Sequence, residues 1–466
     1  MSSRQFGAIY ITVFVLFAIC LTWPIHYTGH LLAFADTGSY LRGGERIWDI
    51  LMQMVPSAPA EQAATGAGQS AADSLATNES GRNTVGRSFP YAAFTYLFYQ
   101  LGGPLGIALA QSALAALMIT FMISRDALQS PWTLVIGAIL IAATSGLPWY
   151  ASFLMPDIFG AFVVIFGVIL VRDIDNMRIL PALLLVGLTG FAATTHYGNM
   201  PVILVAVTAA LGMRLLRRRL TWRSTFLGLI ALALAPLANV GASTVVLDEP
   251  SLAPKRLPII LARSLSDGPA QWYLQDVCPE ADLAICQAYG DDVSADRGVF
   301  LWSEEGVLSL PPEVYDRIRQ EEFKVVFAAF RAYPLAQANA FFSEAIKQNF
   351  RIGLEQIEFA KAIQEPFEVE LIYDGPATEK KYFFDTVIDF ATLASAVALI
   401  ALGLGLGFTA RWTDMLIVLI TTMTANAVIF GGLSAAIDRY QGRMAWIIPV
   451  MLVLFIAEAR ANRRSA

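Results

Sequence analysis

The residue with the clearest chemical opportunity is Asp36, in HLLAFADTGSYLRGGERIWD, His30–Asp49, a few residues beyond the first long apolar run. A carboxylate placed there, among small residues and beside Tyr40, Arg42 and Arg46, can take a proton from a hydroxyl group. The same position suits an N-cap for the helix that follows, and the two roles are compatible. Asp157, in SFLMPDIFGAF, opens an apolar run behind Pro156. It offers a second acid to orient a cation or a substrate, although a helix N-terminus favours a carboxylate for electrostatic reasons alone. His196 stands in the short stretch THYGNMP, where it can serve as a hydrogen-bonding residue or as a proton carrier. Arg439 and Arg443 flank Tyr440 and Gln441 in AIDRYQGRMAW. Guanidinium binds phosphate bidentately, so these two arginines suit an anionic group; a salt bridge to Asp438 or another acid is the alternative. Arg87 and Arg42 supply further candidate phosphate-binding cations. No metal ligand set stands out, and a divalent cation at the two acids is left open.

These side chains need a scaffold, and the composition limits what it can be. Of 466 residues 56% are hydrophobic and 15% charged, too apolar for a water-soluble domain of this size. No basic patch interleaved with aromatics points to nucleic acid. Apolar runs match the bilayer's hydrocarbon thickness at Phe6–Trp23, Pro104–Met122, Trp132–Leu147, Asp157–Val171, Ile179–Thr195, Met200–Leu215, Thr225–Val245, Thr386–Phe408, Leu416–Leu433 and Ala445–Ala457. The expected fold is an all-α polytopic membrane protein of about ten transmembrane helices. Connections rich in basic residues (Arg4, Arg125, Arg172, Arg178, Arg214–Arg223, Arg411, Arg460–Arg464) alternate with short ones that have none. That pattern places both termini in the cytoplasm. Against it, Arg439 and Arg443 sit in a short exported loop, which calls for an anionic partner outside.

Three regions follow: an N-terminal transmembrane module 1–246 with an exported first loop 28–103, an exported segment 247–385, and a C-terminal module 386–466. The first loop holds a small-residue tract, with a glycosylation-type triplet at Asn78, and then the aromatic GRSFPYAAFTYLFYQ, too short to span and read as interfacial. The exported segment is expected to be mainly helical, with amphipathic helices interrupted at Pro334. Cys278 and Cys286 in CPEADLAIC favour a disulfide, two buried thiols being the alternative. No charge falls at the centre of any span, which argues against a proton-driven transporter.

The layout resembles the type-C glycosyltransferase superfamily, integral membrane enzymes that include protein O-mannosyltransferases and the lipid A aminoarabinose transferase. ADTGSYLRGG, GRSFPYAAFTYLF, MPDIFGAFVVIFGVILVR and DRYQGRMAWIIPVMLVL carry the resemblance. It implies Asp36 as catalytic base, Asp157 as the second acid, and Arg439, then Arg87, on the phosphate of a polyprenyl-phosphate-linked sugar donor. Tyr40, His196 and Tyr440 are further polar candidates around such a site. The acceptor would be a lipid, glycan or protein at the exported face of a bacterial inner membrane, reached with inversion at the anomeric carbon. The sequence departs from the paired Asp-Glu of the O-mannosyltransferases, with Thr37 after Asp36. Two rival readings stay open: a lipid or polysaccharide transporter, and a non-catalytic assembly protein of the cell envelope.

Overall fold

The computed structural model describes residues 12, 14–53, 87–278 and 280–465. The tract from Val55 to Gly81, with the Asn78 triplet, lies outside the described residues, as does the start of the first apolar run. The helices begin with α1 (Phe14–Thr28) and the amphipathic α2 (Thr37–Gln53). They continue with α3 (Phe89–Met122), α4 (Pro131–Thr144), α5 (Leu147–Ser152) and α6 (Phe159–Arg172). Next come α7 (Ile179–Thr194), α8 (Asn199–Leu216) and α9 (Trp222–Leu247). After four short helices between 259 and 302 follow α10 (Pro312–Ala332), α11 (Pro334–Asn349) and α12 (Pro376–Leu406). The chain closes with α13 (Ala410–Leu433), α14 (Arg439–Ala445) and α15 (Ile447–Ser465).

Among the described residues six helical stretches are long and apolar enough to cross a membrane: α3, α8, α9, α12, α13 and the run from α14 into α15. By length and composition this is an integral membrane protein. The other four expected spans coincide with shorter helices, α1, α4, α6 and α7. The aromatic segment Phe89–Leu101 forms a helix that meets the following span across a kink. Its helix breaks at Gly102 and Gly103, and Gly103 takes the positive φ of 61° that a residue with a side chain resists.

The core is built around α6, in which every residue from Phe159 to Arg172 is buried. In a bilayer helices gain little from hiding apolar surface, so close backbone approach and dispersion contacts hold them together. Gly167 shows the consequence: a Cβ there would stand 3.1 Å from both Ala206 of α8 and Val418 of α13. The arginines of one set of connections gather at the C-terminal end of α6. Arg214 Nη1 donates to the Leu170 carbonyl at 3.1 Å, Arg217 Nε pairs with Asp414 at 3.0 Å, and Arg411 pairs with Asp173.

At the other end a small sheet departs from a purely helical design. Strands β1 (Leu31–Ala33), β2 (Glu358–Gln364) and β3 (Glu368–Ile372) run antiparallel in that order, with Leu32 opposite Phe359 and Ala33 opposite Glu358. Leu32 also bridges Phe153, and its carbonyl accepts from Leu154 N at 2.9 Å. Three segments distant in sequence are thereby tied together just ahead of Asp36. Pairing between residues 31–33 and 358–360 leaves no local period-two signal, which is why a helical chain was the expectation.

The segment 247–385 has two parts. Leu257 to Ala329 contribute a separate apolar cluster. Within it Glu322, fully buried, accepts from Ile260 N at 2.8 Å and Leu261 N at 3.1 Å and pairs with Arg256. Cys278 and Cys286 are joined by a disulfide with a Cα–Cα distance of 5.4 Å. Leu354, Ile357, Phe359 and Ala377 instead join the core of the membrane helices.

Candidate functional site

Asp36 lies between β1 and α2. The helix buries Thr37, Gly38, Tyr40, Leu41, Gly44 and Ile47, the i, i+3, i+4, i+7 spacing of one apolar face. A Cβ at Gly44 would sit 2.2 Å from the Ala92 carbonyl, so this glycine lets α2 lie directly on the start of α3. Thr37 fixes the turn: its Oγ1 accepts from Phe34 N at 3.0 Å and donates to the Leu154 carbonyl at 3.2 Å. Asp36 Oδ1 forms an ion pair with Arg87, both side chains about a fifth exposed (21% and 22%). Tyr197 OH reaches the Arg87 carbonyl at 3.4 Å, joining this pair to the loop of His196.

Asp157 is buried in a short 3-10 turn, Pro156–Ile158, that leads into α6. Arg439, at the start of α14, places Nε 3.7 Å from Asp157 Oδ1. Its guanidinium carbon lies 4.6 Å from the Phe34 ring and 5.6 Å from that of Tyr440. Nε and Nη1 of Arg439 are buried without a hydrogen-bond partner. Arg443, fully buried, stands one turn on. Its Nη2 donates to Asn199 Oδ1 and Asn426 Oδ1, each at 3.1 Å, and its Nε and Nη1 are likewise unsatisfied. Gly160 makes room for it, since a Cβ there would come within 2.8 Å of Arg443 Nε.

Tyr40 lies within electrostatic reach of both ion pairs. Burial pushes its phenol well above the usual range; Asp36 and Asp157 push it further, while Arg87 and Arg439 pull it down. It packs edge-on to Tyr91 at 4.8 Å. Tyr91 in turn donates to Gln111 Oε1 at 3.0 Å. The arrangement therefore groups Asp36, Asp157, Arg87, Arg439 and Tyr40, with Arg443, Tyr440 and His196 adjoining. The His196 ring lies 5.0 Å from Phe430 and 6.4 Å from Tyr440. Burial holds its imidazole well below the ordinary range, and Arg443, Arg439 and Arg87 lower it further. Gly198 N donates to His196 Nδ1 at 3.1 Å, a contact that requires the unprotonated nitrogen.

Arg42 is placed apart from this group. Its Nη1 donates to the Phe367 carbonyl at 3.1 Å, tying α2 to the β2–β3 turn. Several contributors carry no signal in their local sequence: Phe34, Asn199, Gln111 and Gly160, together with Glu358. Asn426 stands in the sequence only as a neutral residue within a span. Glu358 sits opposite Ala33 in the sheet. Burial raises its carboxyl above the usual range; Lys381 and Arg439 lower it and Asp36 raises it. Its Oε2 is buried without a hydrogen-bond partner. Only the pairing of β1 with β2 brings this third acid near Asp36, so no local motif could announce it.

Among the described residues no three His, Cys, Asp or Glu side chains come together to hold a metal ion. Both candidate acids face arginines. The unsatisfied groups in the interior are mostly N–H donors, so these residues fit an anion better than a cation.

No family model matches the chain, and no curated protein sequence matches it. Among solved structures, the crystal structure of ArnT from Cupriavidus metallidurans bound to undecaprenyl phosphate is similar at 12% identity with a TM-score of 0.31, over 100% of this chain and 79% of that one.

Proposed function

We propose that this protein is a membrane glycosyltransferase that moves a sugar from a polyprenyl-phosphate carrier to a hydroxyl on a lipid, glycan or protein acceptor. The observation that carries the reading is Arg439: a guanidinium beside Asp157, buried, with two nitrogens that no protein group satisfies. Buried N–H groups left unpaired are costly, and a phosphate oxyanion is a ligand that repays that cost with charge-assisted hydrogen bonds. Arg443 adds a second cation one helical turn away. The resemblance of the motifs around Asp36 and Asp157 to type-C enzymes supports the choice of a lipid-linked donor.

In this mechanism the acceptor hydroxyl oxygen forms a bond to the anomeric carbon while the bond from that carbon to the phosphate oxygen breaks. The electron pair of the broken bond leaves with the phosphate, and the hydroxyl proton passes to the Asp36 carboxylate. Attack from the face opposite the phosphate inverts the anomeric centre. Arg439 and Arg443 stabilise the charge developing on the leaving phosphate, and their burial enlarges that contribution. Arg87 holds Asp36 before the donor arrives and exchanges this partner for the phosphate when it does. The site faces the exported side of a bacterial inner membrane, with both termini cytoplasmic.

The test is binding and turnover by the full chain in lipid nanodiscs. Polyprenyl phosphate is expected to bind the wild type and to bind Arg439→Gln at least tenfold more weakly, with release of polyprenyl phosphate from a sugar-loaded donor detected by mass spectrometry. Absence of binding to the wild type, or equal binding by Arg439→Gln and Arg443→Gln, overturns the reading.

A further inference from the structure

Helix α10 has two apolar faces. One, with Tyr315, Ile318, Val325 and Ala329, is buried in the core of its own domain. The other is turned away from that core: Phe323, Phe327 and Phe330 recur at i, i+4 and i+7 and are 48%, 63% and 43% exposed. Helix α11 repeats the pattern. Its inner side packs on α13, where Cβ atoms at Gly431 and Gly432 would meet Gln348 and Phe341 at 2.6 and 2.4 Å. On its outer side Phe342, Ile346 and Phe350 recur every fourth residue at 60%, 62% and 80% exposure. A domain surrounded by water rarely leaves such rows open.

Two observations identify what covers them. The first is continuity with the membrane-spanning surface. Because α11 rests on Gly431 and Gly432, it lies at the level where α13 (Ala410–Leu433) ends, beside exposed apolar residues of the spans themselves such as Leu433. The second is charge. Exposed Lys324 and Arg331 border the row on α10, whose acids Glu313, Asp316 and Glu321 lie in its first half. Lys347 and Arg351 follow the row on α11 and pair there with Glu344 at 2.6 Å and with Glu355 and Asp438 at 3.4 and 3.5 Å. Apolar rows bordered by lysine and arginine are the pattern of a helix seated among lipid headgroups.

We infer that α10 and α11 are interfacial helices whose free apolar rows insert into the lipid leaflet adjoining the site, with Lys324 and Arg331 at the level of anionic headgroups. The domain between 257 and 349 is thus a membrane-surface structure that leans on the bilayer. This inference is independent of the transferase reading.

The experiment uses the full chain with Cys20→Ser, singly substituted Phe327→Cys, Phe342→Cys or, as a water-exposed control, Asp282→Cys. Each is labelled with an environment-sensitive fluorophore and reconstituted at one copy per nanodisc. At Phe327→Cys and Phe342→Cys the emission is expected to shift to the blue, iodide quenching to fall several-fold below that at Asp282→Cys, and lipids brominated on their acyl chains to quench. Iodide quenching equal to the control at both positions overturns the inference. So does protection seen only when several copies share a larger vesicle, because the rows are then covered by a second copy. Both phenylalanines are already more than half exposed, so their substitution leaves the domain core intact.

Discussion

At the end of the bundle marked by Arg172, Arg214, Arg217 and Arg411, each guanidinium is engaged by carboxylates or carbonyls. Arg214 meets Asp175 and the Leu170 carbonyl, Arg217 and Arg219 converge on Asp414, and Arg411 reaches Asp173. Where a buried guanidinium nitrogen lacks a hydrogen bond there, as in Arg172, Arg214 and Arg411, it is Nε alone, and that of Arg172 still stands 3.0 Å from Asp173. At the opposite end Arg439 and Arg443 are buried more completely than Arg217 or Arg219, yet each leaves both Nε and an Nη unsatisfied. One end is a closed network, which suits anchoring helix termini. The other holds donor capacity in reserve. Arginines serve both ends, and the count of their partners is what sets the proposed binding pair apart from the closed network.

The sharpest way to break this comparison is to remove the acid that the reserve end presents. Asp36→Asn is expected to lower sugar transfer by about a hundred- to ten-thousand-fold, the range for loss of a general base, with the thermal unfolding midpoint close to wild type. Transfer at wild-type rate ends the assignment of Asp36. Next in size, Arg443→Gln is expected to cost about a hundred-fold in kcat through loss of leaving-group stabilisation, and to weaken polyprenyl phosphate binding measured directly. At the closed end the signs reverse. Asp414→Asn leaves Arg217 and Arg219 without their shared acid, and is expected to cost about 1–3 kcal/mol of stability, the arginines being partly exposed. It should leave kcat and phosphate binding unchanged. A kinetic defect in Asp414→Asn would show that the two ends are not separable.

The smallest expected effect concerns His196, whose folded imidazole titrates below its usual range because of burial and three neighbouring arginines. When the unfolded chain binds a proton that the folded chain refuses, stability rises with pH. The contribution is therefore full above the ordinary histidine range, near pH 6.5, and is lost as pH falls through that window toward the depressed folded value. Chemical denaturation in detergent from pH 7.5 to 5.5 should show this loss, and His196→Asn should flatten it. An unchanged slope in that variant rules out His196 as its source.

What the sequence could reveal divides along the same physical line. Apolar runs announced α8, α9, α12 and α13 because hydropathy is local and the bilayer sets its length. Asp36, Asp157 and Arg439 were nameable because each stands next to such a run, where a charge is conspicuous. The neighbours that give them their surroundings were not. Phe34 reaches Arg439 across the fold, Asn199 and Asn426 reach Arg443 from separate helices, and Glu358 arrives only through a strand pairing. Gly160 is a glycine because of an arginine from another helix, which no reading of residues 155–165 could anticipate. Arg42 shows the converse. It shares a stretch with Asp36, yet the helix turns it toward the hairpin at Phe367.

The pairing of β1 with β2 has a temporal meaning as well. Asp36 emerges early in synthesis, but the strand that steadies its loop is translated more than three hundred residues later, and Arg439 and Arg443 later still. A ribosome that stops after α9 has made Asp36 and Asp157 but neither Arg439 nor Arg443. The proposed site is therefore completed only near the end of synthesis, and a chain truncated there would hold the two acids without the two arginines.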